Sequence, residues 1–234
     1  MDLKIKDVAD LLNVSESTIR RWLLERRIPA YRLNHQYRFN RSEIEDWVLR
    51  HKVAHGLSLS AEPKERRVPT ARGSKQFGLY RAVHKGGIHH DIGGDNKEGV
   101  IGEAMRQMAD EFDLDAEVLT DLLLDRERMM PTALGSGIGV PHTRDFLLPT
   151  ANDLVKVVFL KKPIEYGALD SKPVHTLFFL FACEDKRHLH LLAKLAHFTS
   201  DSKTPEFLAK RPSADALLER IKTWEGRLAK PSDQ

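Results

Sequence analysis

The chain has one cysteine in 234 residues, Cys183, which excludes an intrachain disulfide framework and any multi-cysteine zinc site and fits a reducing compartment. No apolar run approaches the roughly 18 residues that a membrane span requires, so no membrane insertion is expected. The polar start, MDLKIKDVAD, lacks the apolar stretch of a signal peptide. Internal repeats are also missing. The expectation is a soluble cytoplasmic protein.

Charge is present in quantity but unevenly placed. Residues 1–75 hold 16 Lys+Arg against 10 Asp+Glu, whereas the remainder holds 21 against 24, within a net charge of +3. A basic segment joined to a near-neutral one suggests an acidic polymer as partner of the first.

Periodicity divides the chain in the same place. In KIKDVADLLNV, Ile5, Val8, Leu11 and Leu12 share one helical stripe. After a break at Asn13-Val14, Ser15 is positioned to cap a second helix that buries Ile19, Trp22 and Leu23. YRLNHQYRF then reads as a hairpin turning at Asn34-His35, and SEIEDWVLRH as a third helix, opened by a Ser42/Glu45 capping box and anchored by Ile44, Trp47 and Val48. Residues 52–76 mix Pro, Gly, Ser and charge without apolar period, which predicts a flexible linker.

From residue 77 onward strands alternate with helices. Ile101, Met105, Met108 and Phe112 form one stripe, AEVLTDLLLDRERM a second helix, LVKVVFL and VHTLFFLFA buried strands, and HLHLLAKLAHF another helix, with two amphipathic pieces in the tail. This is the pattern of an α/β domain of roughly 150 residues. The expected organisation is therefore residues 1–51 as a small module, 52–76 as linker and 77–234 as the larger domain.

Helix, turn, helix, hairpin, helix is the plan of a winged helix-turn-helix. Small hydroxyls at the start of its second helix (Ser15, Ser17, Thr18) suit contacts to phosphates and bases, and Arg20 and Arg21 one turn later can reach guanine edges or phosphates. The hairpin adds Arg32, His35 and Arg38. The alternative is a three-helix domain with merely solvated charges. Residues 5–48 resemble the excisionase-type, MerR-like winged helix-turn-helix modules through VADLLNVS, the Arg21-Trp22 pair, IPA and YRFNRSEIEDWV. That resemblance implies DNA as partner, often through a homodimer, although no dimerisation helix follows in the sequence.

GSGIGVPHTRD, residues 135–145, raises a separate question. Gly135, Gly137 and Gly139 allow backbone N–H groups to approach an anion, and Pro141 stiffens the residue before His142. Neutral imidazole is a good nucleophile toward phosphorus and a good leaving group from it. Arg126, Arg128 or a second imidazole could supply positive charge. A plain loop is the competing reading, since Gly/Pro-rich segments are usually that.

In order, DRERMMPTALGS, GIGVPH, LVKVVFL, KKPIEYGALDSKPV, HTLFFLFA and HLHLLAKLA resemble the IIA domains of the fructose/mannitol and nitrogen-regulatory branch of the bacterial phosphotransferase system. The resemblance implies an IIA-like mixed sheet flanked by helices, a phosphoryl group accepted on His142 from an HPr-like phosphocarrier protein, and Arg126 and His188 as the other active-site residues. It implies phosphohistidine chemistry with no cofactor and no metal. His89-His90-Asp91 has poor zinc spacing, His175 and His197 read as ordinary strand and helix residues, and Cys183 as a packing residue rather than a phosphocysteine. The functional expectation is a transcription regulator coupling phosphorylation of His142 to DNA binding. Its competitors are a phosphocarrier serving a separate IIB protein and a docking protein without phosphotransfer.

Overall fold

A computed structural model of the chain describes residues 2–12, 14–33, 36–55, 77–112, 115–143, 153–183 and 185–228. The expected linker from residue 56 and the Asn34-His35 turn lie outside the described residues.

The N-terminal segment begins with β1 (Asp2–Leu3), α1 (Ile5–Leu12) and α2 (Glu16–Leu24). It continues through β2 (Tyr31–Leu33), β3 (Gln36–Asn40) and α3 (Arg41–His55). The strands form an antiparallel sheet in the order β1-β3-β2. Ser15 caps α2 as its position suggested, its Oγ accepting from the Thr18 N–H at 3.1 Å. The start of α3 differs from expectation. Asn40, not Ser42, provides the cap, with its Oδ1 accepting from the Ser42 N–H at 2.9 Å. Glu45, read as the return half of a capping box, is fully buried and turned elsewhere. The helix also runs to His55, beyond the boundary expected at residue 51.

The larger segment carries α4 (Gly78–Gly86), β4 (Ile88–Ile92), α5 (Lys97–Met108) and, after a 3-10 turn, α6 (Ala116–Met129). Next come β5 (Ala133–Gly135), β6 (Ile138–Gly139), β7 (Leu154–Ile164) and β8 (Val174–Phe181), and finally α7 (Asp185–Phe198), α8 (Lys203–Ala209) and α9 (Ala214–Leu228). A mixed five-stranded sheet has the order β4-β7-β8-β6-β5. β4 pairs parallel with β7, and β6 parallel with β8. β7 and β8 run antiparallel, as do β5 and β6. This is the expected α/β class, a mixed sheet flanked by helices, joined to an N-terminal helix-turn-helix.

Strand alternation explains the layering. Val155, Val157, Phe159, Phe178 and Leu180 point to one face, where α4, α7, α8 and α9 cover them. Val158, Leu160, Leu177, Phe179 and Phe181 point to the other, under α5 and α6. β4 was not foreseen. His89 and His90 lie on this edge strand, with His90 stacked on Phe159 at 4.9 Å.

A third apolar cluster joins the two parts of the chain. Leu3, Val8, Leu11, Ile19, Trp22, Phe39, Ile44 and Trp47 pack together with Leu189, Ala193 and Ala196 of α7. Leu49 of α3 enters the core of the larger segment. The helix-turn-helix is thus seated on the sheet-bearing segment through α1 and α3, and a freely swinging module is not what these contacts describe.

Candidate functional site

GSGIGV forms a hairpin rather than an anion cradle. Gly135, Ser136 and Gly137 all have positive φ (77°, 54° and 78°), which lets β5 turn into β6 within two residues. The Gly137 carbonyl accepts from the N–H groups of His175 and Thr176. Gly139 lies against Leu177 and Tyr166, where a β-carbon would approach Leu177 to 2.8 Å. The glycines therefore act by making the turn and close packing possible.

Beyond the hairpin the chain runs extended beside β8. Leu180 N–H donates to the Pro141 carbonyl at 3.0 Å, and His142 forms a parallel bridge with Leu180. His142 is fully buried. Its Nδ1 lies 2.7 Å from the Val140 carbonyl oxygen. A carbonyl can only accept, so Nδ1 carries a proton, and in the neutral imidazole the lone pair then lies on Nε2. Pro141 and this hydrogen bond together fix the ring and its tautomer.

His188, at the first turn of α7, is 1% exposed, and its ring centroid lies 5.1 Å from that of His142. The planes are tilted by 59°, so the rings converge without stacking. His190 sits on another side of the helix, and only partly buried.

Arg126 lies in the last turn of α6 with 3% exposure. It donates to the Met130 carbonyl at 3.1 Å and to Asp46 Oδ1 at 3.0 Å. Arg128, the other candidate, is exposed and pairs with Asp125 at 2.6 Å. Glu127 anchors the surroundings. Its carboxylate accepts from Thr132 N–H (3.1 Å), the Thr132 hydroxyl, the Tyr166 hydroxyl (3.1 Å) and Lys97 (3.3 Å). The Thr132 carbonyl in turn accepts from Val140 N–H at 3.0 Å, which links Glu127 to the segment bearing His142. Burial, reinforced by the Glu127 charge, raises the Tyr166 phenol well above its ordinary range.

The sequence reading missed what covers this site. α3 places two consecutive carboxylates over it. Glu45, fully buried, accepts from Arg41 Nε at 2.8 Å and sits 3.6 Å from His188 Nε2. Asp46 holds Arg126. One ligand atom each from Glu45, His142 and His188 lies within 4.8 Å of the others. A carboxylate face thus covers the two imidazoles and Arg126.

The expected DNA contacts divide. Ser15 is spent on capping, and its Oγ also meets the hydroxyls of Ser17 (2.7 Å) and Thr18 (2.9 Å). Thr18 is buried, which removes it from a contact surface. Arg20 and Arg21 are exposed and lean on Glu16 and Glu25. Arg32 is exposed over the Tyr37 ring, and Arg38 reaches Gln36 Oε1 at 2.8 Å. His35 lies outside the described residues. Seating through α1 and α3 leaves this basic face of α2 and the hairpin toward solvent.

The remaining expectations concern ordinary residues. Burial lowers the pKa of both His175 and His197. Burial, then the Asp153 carboxylate 3.2 Å from its sulfur, raises the Cys183 thiol, opposing the thiolate that phosphocysteine chemistry would need.

Residues 82–224 match the family described as "Phosphoenolpyruvate-dependent sugar phosphotransferase system, EIIA 2", and residues 3–52 match a helix-turn-helix domain. A nitrogen regulatory protein from Pseudomonas aeruginosa is 30% identical over 134 residues, covering 56% of this chain and 86% of that protein. The nitrogen regulatory protein of Escherichia coli is 32% identical over 120 residues, 50% of this chain and 73% of its own. Among solved structures, nitrogen regulatory protein IIA-Ntr from Neisseria meningitidis superposes with a TM-score of 0.52 at 26% identity, covering 61% of this chain and 94% of that one. A mannitol-specific cryptic phosphotransferase enzyme IIA from Escherichia coli shares the fold, with a TM-score of 0.50 at 16% identity over 62% of this chain and 99% of its own. Among the described residues no helix is long and apolar enough to cross a membrane.

Proposed function

The chain belongs to the phosphotransferase-system EIIA type 2 family, and from that premise we propose that it is a phosphorylation-responsive DNA-binding regulator. In this reading residues 77–234 form the IIA-like domain and residues 1–51 an excisionase-like DNA-binding module. A phosphohistidine on an HPr-like carrier is the donor. The lone pair on His142 Nε2 attacks its phosphorus, the donor's P–N bond breaks, and the electron pair returns to the donor imidazole. The proton on His142 Nδ1 stays against the Val140 carbonyl throughout. Arg126 and His188 meet the phosphoryl oxygens, where fixed positive charge and N–H donors stabilise the transferring group.

The observation that carries the regulatory reading is the seat of Glu45 and Asp46 on this site. With α3 in place, His142 and His188 are sealed from a donor protein. Phosphorylation adds about −2 charge to the ground those carboxylates occupy, and like charges in a buried site repel strongly. The phosphorylated domain therefore releases α3, and the helix-turn-helix changes its position and mobility. A dedicated phosphocarrier serving a IIB protein would gain nothing from a helix that blocks donor and acceptor alike.

The test is phosphotransfer followed by DNA binding. The full chain is incubated with phosphoenolpyruvate, enzyme I and HPr, and intact mass at alkaline pH is expected to show one phosphoryl group that His142→Ala lacks. Fluorescence anisotropy on selected DNA is expected to separate the phosphorylated protein from His142→Ala. Equal affinities would end the coupling, and an unlabelled His142 would end the phosphoacceptor reading.

A further inference from the structure

We propose that Glu45, His142 and His188 form a divalent-metal site, suited to Zn²⁺, that is complete only while the N-terminal segment is seated on the sheet-bearing segment. Neither half holds the ligand set by itself, since Glu45 comes from α3 and the histidines from the β6–β7 connection and α7. Each of the three is at most 1% exposed, and their ligand atoms lie within 4.8 Å of one another. A zinc ion about 2.0–2.1 Å from each ligand would set them about 3.3 Å apart in a tetrahedron, so ring and carboxylate rotations that shorten the widest separation by up to about 1.5 Å close the site.

The supporting chemistry points the same way. Two imidazoles and one carboxylate suit zinc and leave a fourth position for water, whereas Mg²⁺ and Ca²⁺ require more oxygen ligands. The Nδ1–H of His142 donates to the Val140 carbonyl, the outer contact that holds a ligating imidazole in one tautomer with Nε2 inward. Arg41 holds Glu45 Oε1 at 2.8 Å and so fixes the carboxylate beside His188, 3.6 Å from its Nε2. The nearby cations Arg41 and Arg126 are matched by Glu45 and Asp46, so the ion does not enter a net-positive pocket.

The metal site stands independently of phosphotransfer. If His142 does accept a phosphoryl group, both ligands compete for the same Nε2, and zinc-loaded protein resists phosphorylation with α3 pinned in place.

Isothermal titration of Zn²⁺ into the unphosphorylated full chain is expected to show one ion per chain, with Mg²⁺ giving no binding. Glu45→Gln keeps the shape of the helix and is expected to weaken zinc at least tenfold. Asp46→Ala keeps all three ligands but loosens the seat, and is expected to weaken zinc as well. X-ray absorption at the zinc edge is expected to show two imidazoles with oxygen ligands and no sulfur. Absence of binding, unchanged affinity in Glu45→Gln, or sulfur scattering from Cys183 would each overturn the site.

Discussion

Asp46→Ala is the most informative single perturbation of the interface between the two segments. Asp46 Oδ1 lies 3.0 Å from Arg126 Nη2, with the arginine 3% and the aspartate 29% exposed. Removing one partner of a buried ion pair costs about 3–5 kcal/mol. Here the aspartate keeps some contact with water, and Arg126 retains the Met130 carbonyl at 3.1 Å, which brings the figure to about 2–3 kcal/mol. When α3 lifts away both groups return to water, so this penalty falls on the seated state. At about 1.4 kcal/mol per tenfold, the unseated fraction rises about 30- to 140-fold. His142 is sealed while α3 is seated, so HPr-dependent phosphorylation should accelerate by the same factor until most molecules are open. Asp46→Asn, which keeps a hydrogen-bond acceptor, should fall between wild type and Ala. The assay is the rate of phosphoryl incorporation under limiting HPr. Labelling of Asp46→Ala no faster than wild type would refute the proposed blocking role of α3.

Other outcomes are expected from the packing and charge. Gly86→Ala should cost about 3–5 kcal/mol in urea unfolding, because its β-carbon would sit 2.2 Å from the Val155 carbonyl oxygen, which is backbone and cannot yield. Gly226→Ala in α9 meets nothing within 4 Å and should stabilise by about 0.5–1 kcal/mol. His175 and His197 are held below their ordinary pKa by burial, so the unfolded chain binds protons that the native one refuses. Their contribution is complete at pH 7.5 and is lost as pH falls below about 6.5, by up to about 1.4 kcal/mol per pH unit each. Melting curves at pH 7.5 and 5.5 should show this drop, and it should shrink in His197→Phe. Replacing Arg20 and Arg21 by Ala should weaken DNA binding and flatten its dependence on salt by about 1–2 in log–log slope if both meet phosphates.

The secondary structure was legible where side-chain period and chain geometry agree. Ile19 and Trp22 mark the inner face of α2, and alternation along LVKVVFL marks both faces of β7. β4 escaped because IHHDI, with two exposed or half-buried imidazoles between glycines, carries no strand-like alternation. His142 stood out by its glycine- and proline-rich setting with Arg126 as a possible partner, resemblance added His188, and the structure brings the two rings to 5.1 Å between centroids. Glu45 and Asp46 were illegible for a different reason. Glu45 stands three residues after Ser42, so a local capping role accounted for it without any distant partner. Its actual neighbour, His188, is 143 positions away, and no local pattern encodes that separation. Leu189, Ala193 and Ala196 posed the same difficulty, since their burial under α1 and α3 depends on a surface supplied by another part of the chain.

The apolar seam between α7 and the helix-turn-helix belongs to a single polypeptide, and that changes what sets its occupancy. Two separate proteins meeting through Leu189, Ala193 and Ala196 would part on dilution. A tethered pair instead experiences an effective concentration fixed by the chain joining them, commonly millimolar. Seating and release therefore form a unimolecular balance, blind to how many copies a cell contains. In the proposed reading, phosphorylation of His142 would shift that balance by a fraction independent of expression level.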